Sequence, residues 1–349
     1  MLTPMPDELT TDDFLACPDG GAIIDVRTPA EFAQGHIPGA VNVPLFSNEE
    51  RAEIGTIYVQ QGRIPAVSMG LRRVGPRLDE LARTLLGLTD PAEPRLRIHC
   101  WRGGMRSASV AWLMESTIGC RVDTLRGGYK AFRRWVLASL AIPRELRVVA
   151  GLTGCGKTAI LKQLADLGEC VVDIERLANH KGSAFGNLGE DAQPTQAQFE
   201  NDFALAWRAT DPARPVWLED ESRMIGRRVL PDALWERKNA ARCHLVVVPD
   251  DERIAHLCQT YAGFPPAQLA ACAEAIHQRL GGGRTKAAIE AIHCGDFATA
   301  CRILLTYYDR TYQKCLTVYP PDHIIRHAFC KLDPRMIAAE LLESARPSP

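Results

Sequence analysis

The sequence predicts two α/β domains in series, followed by a helical C-terminal region. Apolar strand-like runs alternate with amphipathic helical patterns up to Asp251. A break around Pro143 divides this alternation into two halves, and beyond Asp251 only helical patterns remain, interrupted at 281–283 by three glycines. We therefore expect domains at 1–140 and 145–250, with a helical region at 251–349 packed on the second domain.

The composition allows packed cores but gives no global attraction for nucleic acid. The 349 residues are 46% apolar and carry a formal net charge of −1. Any RNA binding must therefore come from local basic segments, of which there are two, at 126–134 and 223–238. An ordinary solvated face is the alternative reading of both segments. The candidate tRNA contacts are Arg126, Lys130, Arg133, Arg223 and Arg227.

Cysteine usage argues against zinc and against a disulfide framework. Twelve cysteines are scattered along the chain, and no two form a Cys-x-x-Cys pair. No stretch of 18 apolar residues is present, so we expect no membrane span. A reduced cytoplasm fits this pattern best.

The first half is built around a strand that ends in a cysteine. Apolar runs and helical spacing predict the following elements, in chain order: a strand at 23–26, a helix at 29–34, a strand at 41–44, a helix at 78–88, a strand at 96–100, and helices at 107–114 and 129–140. Cys100 therefore ends a strand, and the loop after it leads into a helix whose predicted inner face is Val110, Ala111 and Met114.

A loop in this position stabilises a thiolate. Its backbone N–H groups, the helix N-terminus and Arg106 are expected to lower the pKa of Cys100 and make the sulfur nucleophilic. The spacing His99-Cys100-x5-Arg106 is also that of cysteine-dependent phosphatases. The predicted anion loop around the catalytic Cys100 consists of Trp101, Arg102, Gly103, Gly104, Met105 and Arg106.

The second half begins with a strand, a glycine-rich loop and a helix. The strand is predicted at 146–150 and the helix at 157–167, with Ile160, Leu161, Leu164 and Leu167 as its buried stripe. Further strands are predicted at 170–174, 216–218 and 245–248, with helical pattern between them. This alternation indicates a mostly parallel sheet wrapped by helices.

The glycine-rich loop matches the P-loop pattern Gly-x4-Gly-Lys-Thr in the strand-to-helix context that the motif requires. Backbone N–H groups and the helix N-terminus would hold a diphosphate or triphosphate, and Lys157 would reach its terminal phosphate. Mg²⁺ is possible at Thr158 and Asp220, with Glu219 and Asp220 as candidate Walker B acids. The predicted diphosphate-binding residues are Gly151, Thr153, Gly154, Cys155, Gly156, Lys157 and Thr158.

Two further segments near the P-loop are ambiguous. Asp173 is a weaker acidic candidate, for which capping of a helix is as good an explanation. The segment 179–186 is rich in Gly, Ser, Lys and His, a composition that suits a substrate lid or an ordinary surface loop equally well.

Two runs upstream of Cys100 resemble the rhodanese family, in which the cysteine carries a terminal sulfur. They are Asp25-Val26-Arg27-Thr28-Pro29-Ala30-Glu31-Phe32 and Gly35-His36-Ile37-Pro38-Gly39-Ala40-Val41-Asn42-Val43-Pro44, and the resemblance covers about residues 8–138. Many sulfur-transferring members place the arginine five residues after the cysteine, whereas Arg106 comes six after it. The wider loop suits a tetrahedral phosphorus species or a larger chalcogen.

A rhodanese-like domain joined to a P-loop NTPase-like domain resembles the tRNA 2-selenouridine synthase family over nearly the whole chain. Supporting matches are Leu125-Arg126-Gly127-Gly128-Tyr129-Lys130, the loop 151–158, the stretch 182–186, and Glu219-Asp220-Glu221-Ser222-Arg223. The resemblance implies a tRNA partner bearing wobble 2-thiouridine. It also implies two co-substrates, geranyl diphosphate for S-geranylation and selenophosphate for the exchange of the S-geranyl group for selenium.

The residues leave several alternatives open. Cys100 would either carry selenium as a perselenide or help to strip it from phosphorus. An enzyme that supplies selenophosphate is a possible partner. The main rival function is a P-loop NTPase or kinase with a sulfur-carrying or redox-sensing rhodanese domain. A phosphatase and a non-catalytic RNA-binding module are weaker rivals, because the first leaves the P-loop unexplained and the second leaves the thiol loop unexplained.

Overall fold

A computed structural model describes residues 7–17 and 21–345, so the outer ends of the predicted first and third segments lie outside the described residues. The chain divides into two compact units. The first is Met1–Ser139 with Glu200–Asp202, and the second is Leu140–Phe199 with Phe203–Pro349. None of the helices in the described part of the chain is long and apolar enough to cross a membrane.

The first unit contains a five-stranded parallel sheet in the order β1-β5-β4-β2-β3. Parallel strands gather their carboxyl ends at one edge, and the strand that precedes Cys100 lies in the middle of this sheet. The elements are β1 (Asp7–Leu9), α1 (Thr11–Ala16), β2 (Ala22–Asp25), α2 (Pro29–Ala33), β3 (Val41–Asn42), α3 (Asn48–Gln61), α4 (Arg63–Val74), α5 (Leu78–Leu86), β4 (Arg95–His99), α6 (Met105–Leu113), β5 (Arg121–Leu125) and α7 (Gly128–Ala141).

The core of this unit lies where the sheet meets α6. Val110, Ala111 and Met114 are buried as predicted, against Ile24 and Ile98 of the central strands. The predicted strand at 41–44 is shorter than expected and ends at Asn42, whose side-chain amide donates to the carbonyl oxygens of Asp25 and Arg27.

The second unit has its own five-stranded parallel sheet, in the order β12-β11-β6-β8-β7. Its elements are β6 (Leu146–Gly151), α8 (Lys157–Asp166), β7 (Cys170–Val171), α9 (Ile174–Ala178), α10 (Gln196–Ala209), β8 (Val216–Glu219), the hairpin β9 (Met224–Ile225) and β10 (Arg228–Val229), α11 (Asp232–Asn239), β11 (Arg242–Val247), α12 (Asp250–Tyr261), α13 (Pro266–Glu274), α14 (His277–Leu280), α15 (Gly282–His293), α16 (Phe297–Leu316), β12 (Ile324–Ala328) and α17 (Pro334–Ala345).

The expectation of purely helical structure beyond Asp251 is wrong at one place. Ile324–Ala328 forms β12, which pairs in parallel with β11, and α17 then packs against α8 through Ile337 and Leu341. The apolar run at this strand is only Ile324 and Ile325 before Arg326 and His327, so it lacks the pattern that marked the other strands. The C-terminal region therefore completes the sheet that carries the P-loop, besides supplying helices.

Two smaller expectations in the second unit also need correction. The predicted strand at 170–174 stops at Val171, because the Asp173 side chain accepts from the Arg176 N–H at 2.8 Å and caps α9. Asp173 thus has the capping role. Helix α8 buries Ile160, Leu161 and Leu164 as predicted, but Leu167 follows the helix end and is 51% exposed.

Candidate functional sites

The thiol site lies at the carboxyl end of β4, at the centre of the first sheet. Cys100 is 3% exposed, and its Sγ lies 3.2 Å from the Ser107 Oγ at the start of α6. Burial by itself raises the pKa of Cys100, but hydrogen bonds from Ser107 and from the backbone N–H groups of Arg102 and Gly104 lower it overall. The pKa of Cys100 is thus shifted in the predicted direction.

Arg106 pairs with a carboxylate and not with its predicted partner, the Cys100 thiolate. The Arg106 guanidinium binds the Glu31 carboxylate in a bidentate pair, with nitrogen–oxygen distances of 2.7 and 3.2 Å. Glu31 also closes a capping box with Thr28 at the start of α2. The Ser107 hydroxyl and backbone N–H donors thus stabilise the thiolate in place of Arg106. Arg102 is exposed.

The residues beneath the thiol loop hold it in place without adding net charge, because they are either neutral or paired with an opposite charge. Arg27 is fully buried and pairs with Asp25 at 2.6 Å. Burial lowers the pKa of His99 to about 4, so this imidazole is neutral at pH 7. At Gly128 φ is +59°, and a Cβ there would lie 2.3 Å from the Cys100 carbonyl oxygen. Glycine is therefore required where α7 meets the loop.

The P-loop lies in the second unit between β6 and α8, as predicted. Gly156 adopts φ +78° and is the N-cap of α8, so the helix N-terminus follows the loop directly. The Lys157 Nζ donates to the Gly151 carbonyl oxygen at 3.3 Å. Burial alone would lower the pKa of Lys157, but the surrounding Cys155, Glu221, Glu175 and Asp220 raise it, so the lysine is charged.

The acid that contacts Thr158 is Glu175, which the sequence pattern does not indicate. Its Oε2 accepts from the Thr158 Oγ1 at 3.0 Å, and the Glu175 N–H donates to Glu219 Oε1 at 2.6 Å. Among the described residues, Glu219 Oε2 is buried without a hydrogen-bond partner. No local pattern distinguishes Glu175, because it reaches the site only through the position of α9.

Three glutamates beside the P-loop have raised pKa values. Burial raises the pKa of Glu221 to about 8, and the neighbouring Glu175 adds to the rise. Burial also raises the pKa of Glu219 well above its usual range, with Asp173 and Glu175 contributing. The pKa of Glu175 is raised by burial as well. A cation bound nearby would relieve this repulsion.

Asp220 has a different role from the predicted one at magnesium. Its Oδ1 accepts from the Lys238 Nζ at 2.5 Å and from the Tyr319 hydroxyl at 2.7 Å, and its Oδ2 accepts from the Tyr312 hydroxyl at 2.7 Å. The Gly151 N–H in turn donates to the Tyr312 oxygen at 2.9 Å. Asp220 therefore anchors α16 to the P-loop strand.

The described residues still fit a magnesium ion held mainly by its ligand. No three of their His, Cys, Asp or Glu side chains form a metal site by themselves. Mg²⁺ bound with nucleotides or diphosphates usually takes one or two protein oxygens, with phosphate oxygens and water completing its shell. Thr158 and Glu175 provide such oxygens, and the unpartnered Glu219 Oε2 lies next to them in the network.

A cavity of about 1710 Å³ opens over the P-loop. Residues 180–184 of the segment 179–186 line this cavity, together with four tyrosines of the helical region: Tyr261, Tyr307, Tyr308 and Tyr312. A second pocket, of about 70 Å³, is almost entirely apolar and shares Thr153, Ser183, Leu257, Tyr261 and Tyr308 with the first.

Sequence comparisons agree with this architecture. The rhodanese-like domain family matches residues 10–134, and the tRNA 2-selenouridine synthase AAA domain family matches residues 144–278. A tRNA 2-selenouridine synthase from Hydrogenovibrio crunogenus is 35% identical over 89% of this chain and 91% of its own length. The chain belongs to the tRNA 2-selenouridine synthase family.

Other members of the family match over a smaller part. The synthases from Hahella chejuensis and Shewanella denitrificans are 40% and 39% identical over 73% and 68% of this chain. The matches cover 68% and 65% of those relatives, so the chain spans about two thirds of their length. A crystal structure of the N-terminal domain of a protein from Clostridium difficile 630 is 37% identical over 38% of this chain and 99% of its own, with a TM-score of 0.34.

The predicted tRNA contacts differ in their exposure to solvent and in whether they are paired with a carboxylate. Arg126, Lys130 and Arg227 are exposed. Arg133 pairs with Glu200 at 2.5 Å, and Arg223 pairs with Asp232.

The basic segment 223–238 is less basic at the surface than its composition suggests. Arg237 donates to the carbonyl oxygens of Leu140 and Ile142, and Lys238 is buried against Asp220. The more exposed cations therefore lie in the segment 126–134.

Proposed function

We propose that this protein converts wobble 2-thiouridine in tRNA to 2-selenouridine in two steps. The sulfur of 2-thiouridine first attacks C1 of geranyl diphosphate, the carbon–oxygen bond breaks, diphosphate leaves, and the base loses its N3 proton. Selenium from selenophosphate then adds at C2, and geranylthiol leaves. Water hydrolyses the selenium–phosphorus bond, which releases phosphate. The single observation that supports this choice best is an apolar pocket that shares five lining residues with the P-loop cavity.

The P-loop suits the first step because the leaving group is a diphosphate. Its backbone N–H groups, the start of α8 and the charged Lys157 are fixed before reaction, and they stabilise the negative charge that develops as the carbon–oxygen bond breaks. Thr158 and Glu175 would hold Mg²⁺, which neutralises diphosphate charge when it is bound. The predicted roles of 151–158 therefore remain part of the proposal.

The apolar pocket, of about 70 Å³, suits the end of the geranyl chain, and the rest of the chain would lie in the larger cavity with which it shares lining residues. Leu257, Leu304 and Phe297 line it, and Thr153 of the P-loop forms part of its wall. A ligand whose phosphates occupy the P-loop would thus have an almost purely hydrocarbon surface beside them, which matches a prenyl chain, a group without polar atoms. This is why we favour a prenyl diphosphate over ATP or GTP.

The thiol loop suits the second step. A Cys100 thiolate held by Ser107 and backbone donors is poised to carry selenium or to help separate it from phosphorus. An enzyme that supplies selenophosphate is a proposed partner, and a reduced cytoplasm is the proposed compartment, because both selenium donor and free thiol oxidise readily.

Two variants separate the steps. We expect Lys157→Ala to leave 2-thiouridine unmodified, and Cys100→Ser to accumulate S-geranyl-2-thiouridine, when nucleosides from treated tRNA are measured by mass spectrometry. Lys162→Ala on α8 and Cys294→Ser, both at exposed positions, are the matched controls.

Two outcomes would contradict the proposal. Undiminished prenylation by Lys157→Ala would remove the P-loop from the first step, and normal selenation by Cys100→Ser would remove the thiolate from the second. Steady ATP or GTP turnover that Lys157→Ala abolishes, without binding of geranyl diphosphate, would instead support the NTPase or kinase function.

A further inference from the structure

We propose that Trp101 is the platform on which the target nucleobase stacks when it reaches Cys100. This inference rests on the proposed function and adds to it a binding site for the base, next to the reactive sulfur. The occupant is a single-stranded RNA base, which exposes a flat π-face that any aromatic side chain can contact.

The Trp101 indole is supported from within the first unit and open on the outside. Its ring centroid lies 5.8 Å from that of the buried Tyr129 and 5.7 Å from the Arg27 guanidinium carbon. The Trp101 carbonyl oxygen accepts from the Lys130 N–H at 2.9 Å. The residue is nevertheless 37% exposed. A large aromatic side chain with this much open surface, held by packing and a backbone hydrogen bond, loses little freedom when a base stacks on it.

The inner partners of the indole are themselves fixed. The Arg27 guanidinium lies 3.8 Å from the centre of the Tyr129 ring and is paired with the buried Asp25. The Tyr129 N–H donates to the Cys100 carbonyl oxygen at 2.8 Å. The same network thus holds the platform and the backbone of the reactive residue, so the two keep a constant relative position.

The charge around the platform matches an RNA strand. Arg102 and Lys130 are exposed beside Trp101, whereas the Glu31 carboxylate at the loop is neutralised by Arg106. Exposed cations flanking an aromatic ring are the usual arrangement where a strand's phosphates and bases are bound together.

The position explains how a buried thiol can act on an RNA base. Cys100 is only 3% exposed, so C2 of the base must be brought to the loop edge-on. Trp101 follows Cys100 directly in the chain, and a base lying flat on the indole would have its edge, where C2 lies, available to that loop. Such a contact requires that the wobble base leave the anticodon stack.

The test measures selenation of an anticodon stem-loop RNA that already contains S-geranyl-2-thiouridine, with selenophosphate as donor. We expect Trp101→Ala to raise KM for the RNA about fivefold or more, which is the low end of the contribution of one stacked base. Trp101→Phe should restore most of the affinity, because it keeps an aromatic face. Prenylation of the 2-thiouridine RNA by the same variants should be unchanged.

The matched control is Trp112→Ala. Trp112 is 60% exposed on α6, about 10 Å along the helix from Met105, and should not affect KM. An unchanged KM in Trp101→Ala, or a Phe variant as impaired as the Ala variant, would overturn the inference. A defect that appears only when a protein delivers the selenium, with RNA affinity unchanged, would also overturn it and indicate protein docking instead.

Failure of the proposed function would look different. If the wild-type protein did not selenate the geranylated RNA at all, the proposed function would be wrong, while anisotropy of a labelled anticodon RNA would still report whether Trp101→Ala weakens binding relative to Trp112→Ala.

Discussion

Removal of the Ser107 hydroxyl should make the Cys100 thiol markedly less acidic. Ser107 Oγ lies 3.2 Å from the sulfur and can donate either to it or to the Gly104 carbonyl oxygen at 3.1 Å. When the sulfur is ionised, the proton is better placed on the thiolate. A hydrogen bond to a charged group contributes about 1.5–3 kcal/mol, and one pKa unit corresponds to about 1.4 kcal/mol. We therefore expect Ser107→Ala to raise the pKa of Cys100 by about one to two units.

The pH dependence of alkylation measures this shift. Full-length protein is treated briefly with iodoacetamide across a pH series, and the fraction of modified Cys100 peptide is read by mass spectrometry. Below the midpoint, the alkylation rate of Ser107→Ala should be lower than that of the wild type by about tenfold or more. Burial raises the pKa of Cys120 to about 11 and that of Cys243 to about 12, so their peptides serve as unreactive internal references.

A neighbouring serine supplies the control for this experiment. The Ser109 hydroxyl donates to the Arg106 carbonyl oxygen on the exposed side of α6. Ser109→Ala should leave the alkylation midpoint where it is. An unchanged midpoint in Ser107→Ala, or an equal shift in Ser109→Ala, would refute the assignment of the hydroxyl to the thiolate.

Three further predictions concern stability and backbone geometry. The pKa of Glu221 is raised to about 8, so the stabilisation by its protonated form is complete below pH 4.5 and is lost as pH rises towards 8. The free energy of unfolding should therefore decline over this pH range by an amount of the order of a few kcal/mol. Glu221→Gln should flatten this decline in urea unfolding curves. Lys238→Met leaves Asp220 buried without its cation and should cost about 3–5 kcal/mol in the free energy of unfolding. Gly128→Ala should greatly slow alkylation of Cys100, because the added Cβ would displace the loop backbone.

Matched variants make each of these outcomes interpretable. Glu236→Gln, on the second unit but outside the P-loop cavity, should not alter the pH dependence of unfolding. Asp220→Leu combined with Lys238→Met should recover most of the lost stability if unpaired charge is the cause. Gly119 also has positive φ, at +76°, but a Cβ there meets nothing within 4 Å, so Gly119→Ala should keep Cys100 reactive. Equal effects of the two glycine variants would contradict the close-approach explanation.

The strand–loop–helix units could be predicted because their information is local. The strand before Cys100, the glycines and the helix after it are contiguous, and the same is true of the P-loop between β6 and α8. Glycine and helix-start preferences act over a few residues, so a short window is enough to locate them. The buried face of α6 followed from the same kind of local periodicity.

The pairings within each site could not be predicted because they join distant segments. Arg106 follows the thiol in sequence, but its partner Glu31 belongs to α2. Asp220 has the sequence context of a Walker B acid. In the fold, however, it binds Lys238 and Tyr312, which belong to other helices. Which carboxylate faces a cation depends on tertiary packing, and no spacing rule in one segment encodes that.

The late position of β12 in the chain has a consequence for synthesis on the ribosome. Until Ile324–Ala328 has been made, β11 has an unpaired edge, and the apolar side of α8 lacks Ile337 and Leu341. Exposed strand edges and apolar faces are where nascent chains associate wrongly. A message truncated near codon 320 would therefore yield an aggregating product, and chaperone demand should be greatest during translation of this last segment.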